Sequence, residues 1–415
     1  MAAQRAVKLE RMAALLAALG HPEREFPSVL VAGTKGKGST VAMLSACLGT
    51  AGFRTGRYTS PHLVNWRERT CINASPISTT DVLELAEPIR RAVERVPTSF
   101  GPLTTFEVGT AFAFLYFARR EVDVAVVEVG TGGRFDATNL VDPTVSVITP
   151  VSYDHTQTLG DTLSSIAWHK AGILRRDRPA VSAPQVEEAR MAIEHEAQLL
   201  NASLEEVGRE WHWSASGAVT HISSVHDDFA TLDVEVNLVG DHQRDNATTA
   251  AAALYAVRDR FGVSPEAMRK ALRTVDWPGR LQVLAREPLV VLDGAHNAAS
   301  AEVVRRALEA DLEFEQLHLV VGLTEGKDAL GVLTALAPRA DAVYLTRSRH
   351  ERSAPPAELE PLVRRTTQAP IRTFADAPAA FDAALAHAHA RDLVLVTGSL
   401  FLVGEALEWW RRSPR

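Results

Sequence analysis

The sequence is poor in cysteine: among 415 residues there are two, Cys47 and Cys71. Two thiols are too few for a disulfide scaffold or a cysteine-built metal site. No apolar run approaches the ~18 residues needed to span a membrane. The stretch Met1 to Gly20 has an Ala/Leu helical pattern interrupted by Arg5, Lys8, Glu10 and Arg11, so it lacks a signal peptide's apolar core. Net charge is −7, giving no basic footprint for nucleic acid. Internal repeats and low-complexity linkers are also missing. These absences predict a cytoplasmic protein with neither a membrane nor a nucleic-acid partner. Hydrophobic content of 46% and charged content of 23% are ordinary for a soluble globular chain.

What is present is a glycine-rich stretch, Val31-Ala-Gly-Thr-Lys-Gly-Lys-Gly-Ser-Thr40. Ser28–Ala32 before it reads as a short buried strand, and Thr40–Leu48 after it as a helix. A strand, a glycine loop and a helix N-terminus make an anion site, because free N–H groups and the helix dipole face the ligand. Lys37 adds a point charge for phosphate, and Ser39 or Thr40 a hydroxyl near a metal. The glycines at Gly33, Gly36 and Gly38 depart from the strict phosphate-loop spacing, so the loop is a variant. In an acidic protein Lys35 and Lys37 concentrate cations locally.

The rest of the chain alternates strand and helix. Strands are expected at 53–58, 123–129, 144–149 and 180–182, and helices at 81–96, 108–119, 162–173 and 241–260. Thr104-Thr-Phe-Glu107 has the form of a capping box. Residues 203–239 are more strand-like and polar. Trp277-Pro-Gly-Arg280 reads as a hinge, after which strands at 288–292, 317–322, 342–346 and 393–397 alternate with helices at 298–310, 328–337, 355–366, 376–389 and 400–412. The pattern predicts an α/β fold: a doubly wound, mostly parallel sheet over residues 1–278, then a smaller Rossmann-like α/β domain over 279–415.

Several polar residues fall where such sheets bind ligands, beyond the carboxyl ends of strands. Glu128 ends a β-branched run and suits a hard cation such as Mg²⁺. His155 follows the next strand and can ligate a metal or sense phosphate. Lys170 lies on a mostly apolar helix, where a lysine snorkels, pairs with an acid or is modified; composition favours snorkelling. Asp293-Gly-Ala-His-Asn297 and Thr397-Gly-Ser399 close strands of the second domain, and Arg280 in the hinge can reach a phosphate.

In order along the chain stand Gly33-Thr-Lys-Gly-Lys-Gly-Ser-Thr40, Tyr58-Thr-Ser-Pro-His-Leu63, the run from Glu128 to Asn139, Asp154-His155, Lys170–Ile173, His242–Ala247, Pro278–Arg280 and Asp293–Asn297. The set resembles the folylpolyglutamate synthase/dihydrofolate synthase branch of the Mur ligases, from about residue 20 to 404. The resemblance implies an ATP-dependent ligase that phosphorylates a pterin-linked carboxylate and joins it to L-glutamate, with folate or dihydropteroate as the acid. It implies that Gly33, Thr34, Gly36, Lys37, Gly38, Ser39 and Thr40 hold ATP phosphates, with Asn246, Arg280 and Asp293 as further nucleotide contacts. It places Ser60, Glu128 and His155 at magnesium, expected as two ions with room for a monovalent cation. Lys170 matches a carbamylated lysine. Thr104, Phe135, Asp136 and Ala137 match pterin positions, and His296 a helper at the reacting carboxylate. A monomer is expected. Lys35 stands where Asn is usual, His169 where Glu is usual, Ala298 where Pro is usual and Glu351 where Pro is common. These departures leave room for a divergent acid substrate.

A cell-wall Mur ligase is the nearest rival, but it carries a further N-terminal domain, and the loop here begins about 30 residues in. A non-ligating regulatory ATPase, or a kinase using the same loop, belongs to another class. Glutamate-dependent ADP release separates them.

Overall fold

The computed structural model describes residues 2–412, with side chains from residue 9 onward; Met1, where the opening helix is expected to start, lies outside them. Two compact units emerge. The first comprises residues up to His62, Arg67–Asn237 and Gln243–Val275; the second comprises Leu63–Trp66, Leu238–His242 and Asp276 onward.

In the first unit the strands are β1 (Ser28–Ala32), β2 (Thr55–Tyr58), β3 (Thr70–Ile72), β4 (Ser75–Pro76), β5 (Val124–Glu128), β6 (Pro143–Ile148), β7 (Pro179–Ser182) and β8 (Ser203–Glu206). They form one sheet in the order β4-β3-β2-β5-β1-β6-β7-β8. β2, β5, β1, β6, β7 and β8 run parallel, while β3 and β4 add an antiparallel edge. Every residue of β1, β5 and β6 is buried. This is why they read as continuous β-branched runs and not as alternating ones. The helices are α1 (Ala2–Ala18), α2 (Lys37–Thr50), α3 (Thr79–Arg95), α4 (Thr105–Arg119), α5 (Thr156–Leu159), α6 (Leu163–Ala171), α7 (Glu187–Leu200), α8 (Asp241–Ala256) and α9 (Pro265–Thr274). The strand-like stretch after residue 203 divides: β8 joins the main sheet, and β9 (Trp211–Ser216), β10 (Val219–Ser224) and β11 (Leu232–Glu235) form a separate antiparallel sheet.

Register decides where the site lies. Val31 of β1 pairs with Glu128 of β5, Ala32 pairs with Ile148 of β6, and Tyr58 of β2 pairs with Val127 of β5. The glycine loop, Glu128, Ser60 and the segment after β6 therefore leave the same edge of the sheet. Cys47 on α2 is core: it is buried and its thiol is pushed up to about 12 by desolvation.

The second unit holds β12 (Gln282–Arg286), β13 (Leu289–Leu292), β14 (Leu317–Val321), β15 (Ala342–Leu345), β16 (Ile371–Thr373) and β17 (Leu393–Thr397), in the order β12-β13-β17-β14-β15-β16. All pairs but the antiparallel β12–β13 edge are parallel. Helices α10 (Ala298–Asp311), α11 (Ala329–Leu336), α12 (Pro356–Arg364), α13 (Ala377–His387) and α14 (Leu400–Arg412) complete it. Two apolar clusters pack this sheet, one around Val291, Leu319 and Leu333 and one around Val394, Phe381 and Val403. The sheet is thus covered on both faces, as a parallel sheet requires. The antiparallel edges, the parallel edge strand β16 and the helices α5, α7 and α9 are elements that the sequence reading does not anticipate.

Candidate active site

The glycine loop is fixed by close approach. A Cβ at Gly33 would lie 1.8 Å from Thr149 Oγ1, and one at Gly36 would lie 2.5 Å from Asn246 Oδ1. Gly36 also takes φ 82° as the residue before α2, a left-handed conformation that favours glycine. The loop is stitched to the segment after β6: Thr34 N and Lys35 N both donate to Pro150 O (3.0 and 3.3 Å). Thr34 Oγ1 donates to Ser152 O at 3.0 Å and accepts from Ser152 N at 3.1 Å. Ser39 and Thr40 are buried in the first turn of α2. Thr40 Oγ1 donates to Asn246 Oδ1 (3.3 Å), and Asn246 Nδ2 donates to Gln243 Oε1 (2.9 Å). Asn246 is thus packed on the loop itself, with Gln243 of the same His242–Ala247 motif as its support. Gly38 lies one residue into the same turn.

Lys37 Nζ curls back to Gly33 O (3.1 Å) and Thr34 O (3.4 Å). Lys170 donates to the same Gly33 O at 2.7 Å. Lys170 is buried, not snorkelling, which corrects the reading that composition favours. Helix α6 is held so that its last turn faces the loop: Arg134 N donates to His169 O at 2.7 Å, and Asn139 Nδ2 donates to Gly172 O at 3.0 Å. Burial, with the like charge of Lys37 adding, pushes the Lys170 ammonium down to about 7; Asp154 and Asp136 oppose the shift. Near neutral pH it is therefore partly a free amine, a nucleophile that an ordinary lysine is not.

Glu128 is buried at the end of β5, and its Oε2 accepts from Ser60 N at 3.0 Å. The structure brings these two candidates together. A carboxylate beside a serine is an oxygen donor set of the kind hard divalent cations take. His155 immediately precedes α5 in a left-handed conformation (φ 49°), is exposed, and has Asp154 Oδ2 at 3.7 Å from its Nε2. It shares the sheet edge with Glu128 through the chain after β6, but no bond joins the two.

Thr104 caps α4 in the expected capping box: Glu107 N donates to Thr104 Oγ1 (3.2 Å), and Thr104 N donates to Glu107 Oε2 (2.7 Å). Glu107 is buried and also receives Arg11 from α1 in a two-pronged pair at 2.8–3.0 Å. The Arg11 partnership is missed from sequence; a lone arginine on an apolar helix face is the available signal. Asp136 is buried, accepting from Thr131 N, Thr138 N and Thr138 Oγ1 (2.9, 3.1 and 2.6 Å). Desolvation raises its pKa while these donors hold it back. Ala137 opens the short 3₁₀ turn that Asp136 caps. The Phe135 ring packs against His169 and Trp168, with centroids at 5.8 and 6.3 Å. His169, which stands where the resemblance expects an acid, is thus in an aromatic group.

In the second unit, Asp293 leaves β13 and is buried. Its two oxygens accept from Leu281 N and Ala295 N, both at 2.8 Å. Burial raises its pKa, and the Arg280 guanidinium opposes that. Arg280 Nη1 also donates to Gly279 O at 3.0 Å. His296 Nδ1 pairs with Gly294 O at 3.0 Å, and Asn297 caps α10 with Ser300. Arg280, Asp293 and His296 therefore form one local cluster at the carboxyl end of β13.

Residues 31–254 match the Mur ligase middle domain, and residues 279–400 match the Mur ligase glutamate ligase domain. With the fold and loop, these define a Mur ligase. The chain is 37% identical over 411 residues, 97% of its length, to the probable bifunctional folylpolyglutamate synthase/dihydropteroate synthase of Halobacterium salinarum, and spans about half (49%) of that relative. It is 34% identical to E. coli FolC in complex with DHPP and ADP, with a TM-score of 0.88 over 98% of this chain and 94% of that one. The bifunctional folylpolyglutamate synthase/dihydrofolate synthase of Yersinia pestis, complexed with AMPPNP and Mn ion, is 32% identical, with a TM-score of 0.85 over 97% and 93% of the two chains. The chain belongs to the folylpolyglutamate synthase/dihydrofolate synthase family.

Proposed function

We propose that this protein is an ATP-dependent ligase that joins L-glutamate to the carboxylate of a folate or dihydropteroate. The substrate carboxylate oxygen attacks the γ-phosphorus of ATP, the P–O bond to ADP breaks, and an acyl phosphate forms. The glutamate amine then attacks the acyl carbon, loses a proton and expels phosphate. The observation that carries this reading is the convergence of Lys37 and Lys170 on Gly33 O, on the sheet edge that also bears Glu128 with Ser60.

In this reading the N–H groups of residues 33–40 and Lys37 hold the triphosphate, so that little covalent work is left beyond positioning and charge neutralisation. Asn246 fixes the loop, and Arg280 and Asp293 serve the nucleotide from residues 279–415, the second of two domains divided at 278. Ser60, Glu128 and His155 would hold magnesium, two ions being expected with an optional monovalent cation. Held by these residues, magnesium would supply charge neutralisation for a phosphoryl group. The half-neutral Lys170 amine suits addition to carbon dioxide with loss of a proton, giving a carbamate. Thr104 and Phe135–Ala137 shape the pterin side, and His296 stands at the reacting carboxylate. The protein is read as a cytoplasmic monomer.

The test is ADP release with L-glutamate plus dihydropteroate or tetrahydrofolate. Turnover that requires glutamate is expected with at least one acid; none with either overturns the proposal.

A further inference from the structure

Three lysines serve the stretch from Gly33 to Lys37, and two of them are spoken for. Lys37 and Lys170 donate to loop carbonyls. Lys35 does not: among the described residues its ammonium has no hydrogen bond and no ion pair within 4.0 Å, though its side chain is only partly exposed. A part-buried ammonium without a protein partner is left to be completed by water or by an anionic ligand.

The surroundings indicate what that is. The main chain of Lys35 and its neighbour Thr34 is tied to Pro150 and Ser152. This lays Lys35 along the segment that continues to Asp154. Asp154 is the one acid whose field acts on Lys35, and the same acid acts on Lys170. Lys35 therefore stands on the side of the loop toward the segment after β6, on the same short loop as Lys37 and with Asp154 as the acid that acts on it. Two cations on one short loop suit a multiply charged anion. Asp154, itself exposed, screens the charge without forming a contact.

We propose that Lys35 contacts the terminal phosphate of a nucleoside triphosphate seated in the loop, and so discriminates triphosphate from diphosphate. Asp154 offsets its charge when no triphosphate is there. This rests on the nucleotide reading above and adds a charge-assisted contact that the neutral asparagine usual at this position cannot make. A charge-assisted contact to one phosphate acts on the ligand that has it and spares the ligand that lacks it.

The experiment is calorimetric binding of AMPPNP and of ADP to the full chain, comparing wild type with Lys35→Asn and Lys35→Arg and recording melting temperatures alongside. Lys35→Asn is expected to weaken AMPPNP by about tenfold or more while changing ADP by less than about threefold. Lys35→Arg is expected to retain most of the difference. Unchanged AMPPNP binding by Lys35→Asn, or equal losses for both nucleotides, overturns the proposal while leaving the nucleotide reading intact. Wild type that binds neither nucleotide overturns both. A large fall in melting temperature for Lys35→Asn, with Lys35→Arg losing both nucleotides equally, assigns Lys35 to loop folding and also overturns it.

Discussion

Lys37 and Lys170, 133 residues apart in sequence, donate to one acceptor, the carbonyl oxygen of Gly33, at 3.1 and 2.7 Å. Two ammonium groups on one oxygen repel each other, and the buried one yields: the depressed Lys170 pKa is caused first by burial and then by Lys37. Lys170 thereby becomes available as an amine beside the phosphate-type loop.

Lys37→Met is expected to lower glutamate-dependent ADP release by about 10²–10³-fold, the scale of losing one preorganised charge at a transferring group. Far-UV circular dichroism should be unchanged, because the side chain's recorded bonds are to two loop carbonyls. Wild-type turnover in that variant would remove the phosphate role.

Lys170 makes stability depend on pH in a defined direction. Its folded pKa of about 7 lies below the ordinary value of 10.5. Between these values the unfolded chain holds the proton that the folded one has released, so stability rises with pH by up to about 1.4 kcal/mol per unit. Below pH 7 both states are protonated and this slope vanishes, leaving the folded state with the full burial penalty. Urea midpoints of wild type minus Lys170→Met should therefore climb from pH 7 to 9. A flat difference would mean that the amine is not free, and a mass increase of one carbon dioxide on native protein would identify the carbamate as the cause.

Glu128→Gln keeps the size of the side chain and the acceptor for Ser60 N but removes the charge. Affinity for Mn²⁺ in the presence of AMPPNP, read by electron paramagnetic resonance, should fall by at least about 10–100-fold. Turnover should stop on chelation and return with Mg²⁺. Unaltered Mn²⁺ binding would move the metal elsewhere.

Arg11→Ala leaves Glu107 buried without its cation. Breaking such a pair costs roughly 3–5 kcal/mol. The lower end is expected, because Thr104 N and Oγ1 still donate to Glu107 Oε2. The double variant Arg11→Met with Glu107→Gln should recover much of the loss in urea denaturation. No recovery would show that Glu107 matters for more than charge balance.

Legibility followed the range of the forces involved. The capping box at Thr104 was readable because its two bonds span three residues. The buried parallel strands were readable because burial on both faces leaves β-branched runs. Helices α5, α7 and α9, the antiparallel edge strands and β16 escaped because their patterns are short or polar. Asp293 was readable as a strand-end acid, yet its sequence neighbours do not tell that both oxygens are bound by amides twelve residues back and two ahead. Lys170 was misread by composition for the same reason: its acceptor lies 137 residues away.

By itself the sequence determined the alternation of strands and helices, the phosphate-type loop, and the ordered motifs that place the chain among glutamate-joining ligases. Those properties reside in local periodicity and in residue identity. Only the tertiary structure decided that β1 lies between β5 and β6, so that loop, acid and lysine meet at one edge. It also decided that Lys170 is buried beside Lys37 and so gives up its proton more readily, because desolvation and the field of neighbouring charges depend on distances that the chain acquires only when folded.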